Sequence, residues 1–352
     1  MRFSARAPAL ALAAALLLAP LSSSAAADER VCGRPGSAPC TILRPPATAL
    51  PKEESGPLGP QCVIAVGGFA STNGDRAFDP LLAWSDGDPR FRAYHFGYDT
   101  PGFRYDSTGS IDESAEALAA FVASLRDECA DVHVVTHSMG GAVADRAFAK
   151  DLAGVRTYVA LAGPHNGATV ARIVVPHLAV DPLLAAEVHE ILRDGPDPTT
   201  RAGHDLARMA PPHRTPRTTA TLRLRLATDA FVLRRDTLDR RVDAREYLPD
   251  AEWDQLEGHG GVLDNDEIHD VVWATIVSRR PSPDLRSRDE RAVADAVSKE
   301  IEREATALYS GAAQTIASDP GARLALGVGA LAAVVARAVR AATDERVPRA
   351  AE

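Results

Sequence analysis

From residue 61 onward the chain is punctuated by short apolar runs. Cys62-Val-Ile-Ala-Val66 is continuous and stops at Gly67-Gly68, the texture of a central strand. Residues 92–98 alternate and are aromatic, which predicts a second strand after a short helix around residues 76–84. Residues 132–136 and 155–161 read as further strands. So do residues 221–227, where Leu222, Leu224 and Leu226 alternate with arginines. Between these runs the period turns helical. Ile111, Ala115, Leu118, Val122 and Leu125 share one face behind Ser110-Ile-Asp-Glu113, a capping-box pattern, and that helix is expected to end near Cys129. Residues 140–150 and 264–277 are also predicted helices, the latter capped by Asp264. Strands alternating with helices predict an α/β fold, a mostly parallel sheet with helices on both faces.

Beyond residue 163 the pattern loosens. Residues 168–192 are apolar and predict one or two helices broken at Pro176 and Pro182; Pro, His, Arg and Thr then dominate to residue 219. The segment at about 165–219 therefore reads as an insertion above the sheet. After Ser278 charges multiply, and residues 289–310 predict a polar, Ala-rich helix. Residues 324–336 are apolar between Arg323 and Arg337 but too short for a membrane span. The plainer reading is a helix docked on the body; the sharper one is a surface-seeking or tail-anchored segment, in peripheral contact with a lipid surface.

The opening residues carry an address. Arg2 and Arg6 precede an apolar stretch at 9–21 and the small residues Ala25-Ala26-Ala27, the layout of a cleaved secretory signal. The expected organisation is a signal peptide at 1–27, a Pro/Gly-rich arm at 28–60, a main α/β domain at 61–280 and a helical C-terminal extension at 281–352. Export would make the protein extracellular or associated with the cell envelope. It also gives the four cysteines a meaning, since an even count outside the cytoplasm favours disulfides. Three pairings exist. Cys32 with Cys40 would close a short loop and leave Cys62 with Cys129; buried free thiols are the alternative.

Composition narrows the function. Of 352 residues 45% are hydrophobic, enough for a sizeable core, and the net charge of −9 argues against a nucleic-acid surface. No P-loop, zinc spacing or repeat occurs, so no cofactor or metal is expected. The informative stretch is Val132-His-Val-Val-Thr-His-Ser138-Met-Gly-Gly141. It follows a strand and opens a helix, the setting of a nucleophile elbow, in which a tight turn lifts a serine hydroxyl above the sheet. Gly140 satisfies the demand for a small residue two places after the serine; Thr136 stands where a glycine is usual. A serine needs a base, and the base a carboxylate to orient it, in the chain order Ser, acid, His. Asp229 follows the leucine–arginine strand, and His259 sits in the glycine-rich stretch Gly258-His-Gly-Gly261. Asp236 is a rival acid, but Arg234 and Arg235 beside it suggest a solvated ion pair. His269 falls in a predicted helix, and His204 and His213 precede Asp229, which breaks the order. His137, His133 and His95 read as structural.

Together Val66-Gly-Gly-Phe69, Thr136-His-Ser-Met-Gly-Gly141, Leu161-Ala-Gly-Pro-His-Asn-Gly167, Thr228-Asp-Ala-Phe-Val232 and Gly258-His259 resemble secreted bacterial lipases and esterases of the α/β-hydrolase superfamily, over roughly residues 62–278. The resemblance implies Ser138 as nucleophile, Asp229 as acid and His259 as base, with the backbone N–H groups of Phe69 and Met139 as oxyanion hole. Gly67-Gly68 stands where the family often has His-Gly. The Pro164–Gly167 turn resembles the entry to the lid region, and the chain after Ser278 has no counterpart. The family's sheet places the strands that begin near Cys62 and Cys129 side by side, which implies a Cys62–Cys129 disulfide. The implied activity is cleavage of small-molecule or lipid esters. Acyl transfer, thioester or amide cleavage on the same residues, and a non-catalytic binding module, are the competing readings.

Overall fold

The computed structural model describes residues 59–318, apart from 70, 72–76, 87, 98–99, 101, 151, 181–199, 210–214, 238–241 and 249–258. The expected signal peptide, almost all of the 28–60 arm, Cys32–Cys40, Pro182, His213 and residues 324–336 therefore lie outside the described residues.

Among the described residues six strands form one parallel sheet: β1 (Gln61–Val66), β2 (Phe91–His95), β3 (Val132–His137), β4 (Val155–Leu161), β5 (Ala220–Leu226) and β6 (Asp243–Tyr247). Their spatial order is β2-β1-β3-β4-β5-β6, every neighbouring pair parallel. A parallel sheet needs helical crossovers, and these cover both faces. The two-residue period of a strand explains the unbroken apolar runs. Cys62, Ile64 and Val66 point into one core with Ala115, Leu118 and Val143. Val63 and Ala65 point into the other with Leu81, Val272 and Trp273. The first core is closed by α2 (Ile111–Ser124) and α3 (Met139–Ala149), the second by α1 (Asp79–Leu82) and α7 (Asp266–Ser278). Trp273 stacks on Trp84 and donates its indole N–H to Leu81 O, tying α7 to the segment after β1.

The remaining helices are α4 (Thr169–Val180), α5 (Arg201–Arg208), α6 (Arg234–Thr237) and α8 (Arg288–Ser318). Three local expectations are corrected. Pro176 lies inside α4 rather than ending it, because buried Ala171 and Val175 hold the helix on the core and one missing N–H is tolerated. Ser110 stands at the start of α2 without a side-chain cap; the Asp205 carboxylate accepts from Ile111 N at 3.0 Å, an ionised acceptor from α5 displacing a hydroxyl. The cap of α7 is Asn265, whose Oδ1 accepts from Ile268 N, and not Asp264.

Cys62 and Cys129 form a disulfide with a Cα separation of 5.8 Å. It joins the start of β1 to the segment leading into β3, at the end of the sheet opposite the strand C-termini.

Candidate active site

All six strands run the same way, so the loops after β1, β3, β5 and β6 meet at one edge, where open α/β sheets bind ligands. After β3 the chain turns within one residue into α3. Ser138 makes that turn at φ 52°, ψ −129°, a conformation that costs a β-carbon-bearing residue free energy. The turn persists because both sides hold it: Ser138 N donates to Leu161 O and Gly141 N donates to Ser138 O. Close packing also explains the glycines. A β-carbon on Gly140 would lie 2.4 Å from Val66 O and 2.6 Å from Gly67 O.

Asp229 follows β5 in a tight turn and is wholly buried. Its Oδ1 accepts from Phe231 N and Val232 N, both at 2.9 Å, and its Oδ2 faces His259 Nδ1 at 2.9 Å. Burial pushes this carboxyl up, but the His259 ring, Arg225 and the Val232 N–H outweigh it, and the group lies below the usual carboxylate range. An ionised carboxylate can only accept, so the proton of the neutral ring sits on Nδ1. His259 Nε2 is then the acceptor that faces Ser138 Oγ, 2.8 Å away. Hydroxyl, imidazole and carboxylate thus form one chain of hydrogen bonds, brought together from the loops after β3, β6 and β5.

His137 does not compete for the proton. Burial, and then the neighbouring His259, push its pKa down to about 3, and its neutral Nε2–H donates to the His259 carbonyl at 3.0 Å. It fixes the histidine's backbone. His95 pairs with Asp79, His133 with Gln61, and His269 lies in α7 with Nε2 on Leu263 O. His204 is in α5.

Asp236 corrects an expectation. It is fully buried, not a solvated partner of Arg234 and Arg235. Its Oδ2 accepts from Thr169 N and Leu233 N and its Oδ1 from Thr169 Oγ1, so it ties the start of α4 to α6. The arginines beside it in sequence turn instead toward Glu246, Asp295 and Glu302.

The loop after β1 brings Gly68 against Ser138, with Phe69 next in the chain. Sequence reasoning missed what holds this loop. Tyr105 Oη donates to Gly67 O at 2.8 Å, and Ser107 Oγ donates to Ser71 O at 2.6 Å. Neither residue carries a motif. It also missed the support beneath α3, where His165 Nδ1 meets Asp145 Oδ2 at 2.7 Å and Tyr158 Oη donates to Asp145 Oδ1 and Gly141 O. His165, Asp145 and Tyr158 are all fully buried. Phe231, about one-third exposed, presents an apolar ring beside His259, with centroids 5.8 Å apart. Among the described residues no group of His, Cys, Asp and Glu could hold a metal ion.

No family model matches the chain, and no curated protein matches it. Solved structures do. A lipase-esterase related protein from Clostridium acetobutylicum is 15% identical, covering 58% of this chain and 89% of its own, with a TM-score of 0.38. Lipase B of Aspergillus fumigatus is 16% identical, covering 83% of this chain and 64% of its own, with a TM-score of 0.44. A type II thioesterase from the borrelidin biosynthetic cluster is 19% identical, covering 63% of this chain and 93% of its own, with a TM-score of 0.41. This chain's own parallel sheet, flanked by helices and turning sharply at Ser138 between β3 and α3, is consistent with the α/β-hydrolase fold.

Proposed function

We propose that this protein is a secreted serine hydrolase that cleaves carboxylic esters through Ser138, His259 and Asp229. The observation that carries this reading is the unbroken chain Ser138 Oγ–His259 Nε2 at 2.8 Å and His259 Nδ1–Asp229 Oδ2 at 2.9 Å, mounted on a serine held at positive φ.

Ser138 Oγ attacks the acyl carbon while its proton passes to His259 Nε2, and the carbonyl π pair moves onto oxygen. The oxyanion is received by the backbone N–H groups of Met139, at the start of α3, and Phe69. Collapse expels the alcohol, which takes the proton from His259 and leaves an acyl-enzyme. Water repeats the sequence and releases the acid. Asp229 remains ionised throughout and holds the ring in the required tautomer.

The substrate is an acyl ester, with Phe231 receiving apolar substituents beside His259. A lid role for the 165–219 insertion has narrower support than its composition suggests: Ile173 packs with Leu233 and Ile301, and Val175 is buried in the main core. Val174 and Leu178 have no described side chains, and Leu183 and Leu184 lie outside the described residues. Export is supported by the Cys62–Cys129 disulfide, since such cross-links persist in oxidising compartments. Among the described residues no helix is long and apolar enough to cross a membrane.

The test is hydrolysis of p-nitrophenyl esters from acetate to palmitate by the wild type and Ser138→Ala, with and without an added alcohol. Ester cleavage lost in the variant by several orders of magnitude supports the reading, and the chain-length profile separates esterase from lipase. Wild-type inertness on every ester, or an unimpaired variant, overturns it. Preferential capture of the acyl group by the alcohol reassigns the activity to acyl transfer.

A further inference from the structure

We propose that α8, the helix beyond the hydrolase body, is a brace for the active-site carboxylate: Tyr309 directly, and Ser298 through Arg225, hold the backbone of the Asp229–Ala230 turn where His259 needs it. The inference rests on the reading of Ser138, His259 and Asp229 as a catalytic triad.

Two consecutive carbonyls of the turn are held by buried donors. Arg225 Nη2 donates to Asp229 O at 2.8 Å, and Tyr309 Oη donates to Ala230 O at 2.7 Å. The next two backbone N–H groups, of Phe231 and Val232, are spent on Asp229 Oδ1. The turn is therefore closed from inside by its own carboxylate and from outside by Arg225 and α8. Arg225, buried on β5, is itself aimed by α8: its Nη1 donates to Ser298 Oγ at 2.7 Å and to Glu246 Oε1 at 2.6 Å, and Ser298 Oγ donates to the same Glu246 oxygen. Glu246 on β6 neutralises the guanidinium, so the charge is buried with its partner.

The contact is built along one stripe of the helix. Ile301, Ala305 and Tyr309 recur every four residues and pack on Ala230 and Leu233. Asp295, Glu302 and Thr306, on the flanks of the same stripe, bind Arg234 and Arg235. One helix thus grips the segment 229–235 by side chains spread over four turns. A displacement of about 1 Å in a catalytic group can cost about a hundredfold in rate, so loosening this turn should register in turnover.

The experiment uses the full chain carrying Ser298→Ala, Tyr309→Phe or both, with Arg303→Ala on the exposed side of α8 as control. Steady-state kcat and KM on a short p-nitrophenyl ester, their pH profile and the downfield proton NMR signal of His259 Nδ1–H are measured below the unfolding temperature. We expect kcat to fall about tenfold in each single variant at unchanged KM. The acid limb of the pH profile should be displaced from its wild-type position. The Nδ1–H signal should weaken or move upfield. Arg303→Ala should match the wild type. Tyr309→Phe keeps the ring and its packing, so it tests the brace even if Ser298→Ala folds poorly. Wild-type kcat, acid limb and Nδ1–H signal in folded Tyr309→Phe and Ser298→Ala would overturn the brace. An unimpaired Ser138→Ala instead overturns the catalytic reading, and the brace with it.

Discussion

Gly68 is pressed against Ser138: a β-carbon on the glycine would lie 2.8 Å from the serine's own β-carbon and 3.3 Å from its Oγ. The obstacle is a β-carbon fixed to a strained backbone, which cannot rotate away. Gly68→Ala should therefore push Ser138 off its line to His259 and lower kcat by about a hundredfold, with a small change in melting temperature. Steady-state kinetics beside circular dichroism would read both. Normal turnover in the variant would show that the loop after β1 is free to retreat.

Gly140→Ala should fail differently. Its new methyl group meets the carbonyls of Val66 and Gly67 at 2.4 and 2.6 Å, so the backbone of β1 must shift. Overpacking of this kind costs about 1–3 kcal/mol or more. Denaturant unfolding should show that loss; an unchanged midpoint would mean that α3 can slide.

Two buried aspartates near the site should respond in opposite ways. Asp229→Asn leaves an amide facing His259 Nδ1 and favours the wrong tautomer, so kcat should fall about 10⁴-fold with the fold retained. Asp236 accepts three hydrogen bonds, two of them from Thr169 that tie α4 to α6, and burial pushes its carboxyl up. Asp236→Asn should cost about 1–3 kcal/mol of stability while the folded fraction turns over normally. Reversal of the two phenotypes would make Asp236 the acid.

Acid should destabilise the protein earlier than carboxylates alone would cause. His133 and His137 are buried, and burial first, then nearby positive charge, push each down to about 3. Unfolding restores their ordinary affinity for protons, so the unfolded chain binds more protons between about pH 6.5 and 3. Stability should fall through that window as pH falls, by up to about 1.4 kcal/mol per pH unit for each histidine. Asp229, held below the usual range, adds a loss at still lower pH, whereas the raised Asp236 opposes the decline near its own titration. Unfolding free energies from pH 7 to 4 should show this slope, and His133→Gln should flatten it.

Opening the Cys62–Cys129 bridge should cost stability rather than catalysis. It spans a sequence separation of 67 residues, for which loop-closure entropy predicts up to about 4 kcal/mol. The bridge sits at the opposite end of β1 from Gly67 and Gly68. Cys62→Ala with Cys129→Ala should lower the unfolding midpoint and leave kcat near the wild-type value at low temperature; a collapse of kcat in the folded double variant would couple the two ends of the sheet.

Much of this was legible along the chain because it is local. β1 read as a strand since a parallel strand buried on both faces is largely apolar, and β3 and β4 read likewise from Val134-Val135 and from the run Tyr158–Leu161. The elbow read from Ser138-Met-Gly-Gly141 because a turn that tight leaves no room for a β-carbon at Gly140. β6 was missed for the converse reason. Its Asp-Ala-Arg-Glu-Tyr carries three charges, and it survives as an edge strand because Arg245 pairs with Asp243 and Glu246 with Arg225. Asp236 was misjudged for the same reason, since the partners that bury it lie 67 positions away.

The amino-acid sequence by itself determined most strands and helices, though not β6, and where the chain would turn sharply at Ser138, set by side-chain periodicity and backbone sterics within a few residues. Only the tertiary structure decided that Asp229 rather than Asp236 faces His259, that the arginines of β5 are buried, that Tyr309 of α8 reaches the turn at Asp229–Ala230 and that Ser298 reaches Arg225. Those outcomes depend on which donors and acceptors meet across distant loops, and a buried polar group takes whichever partner the packing brings to it.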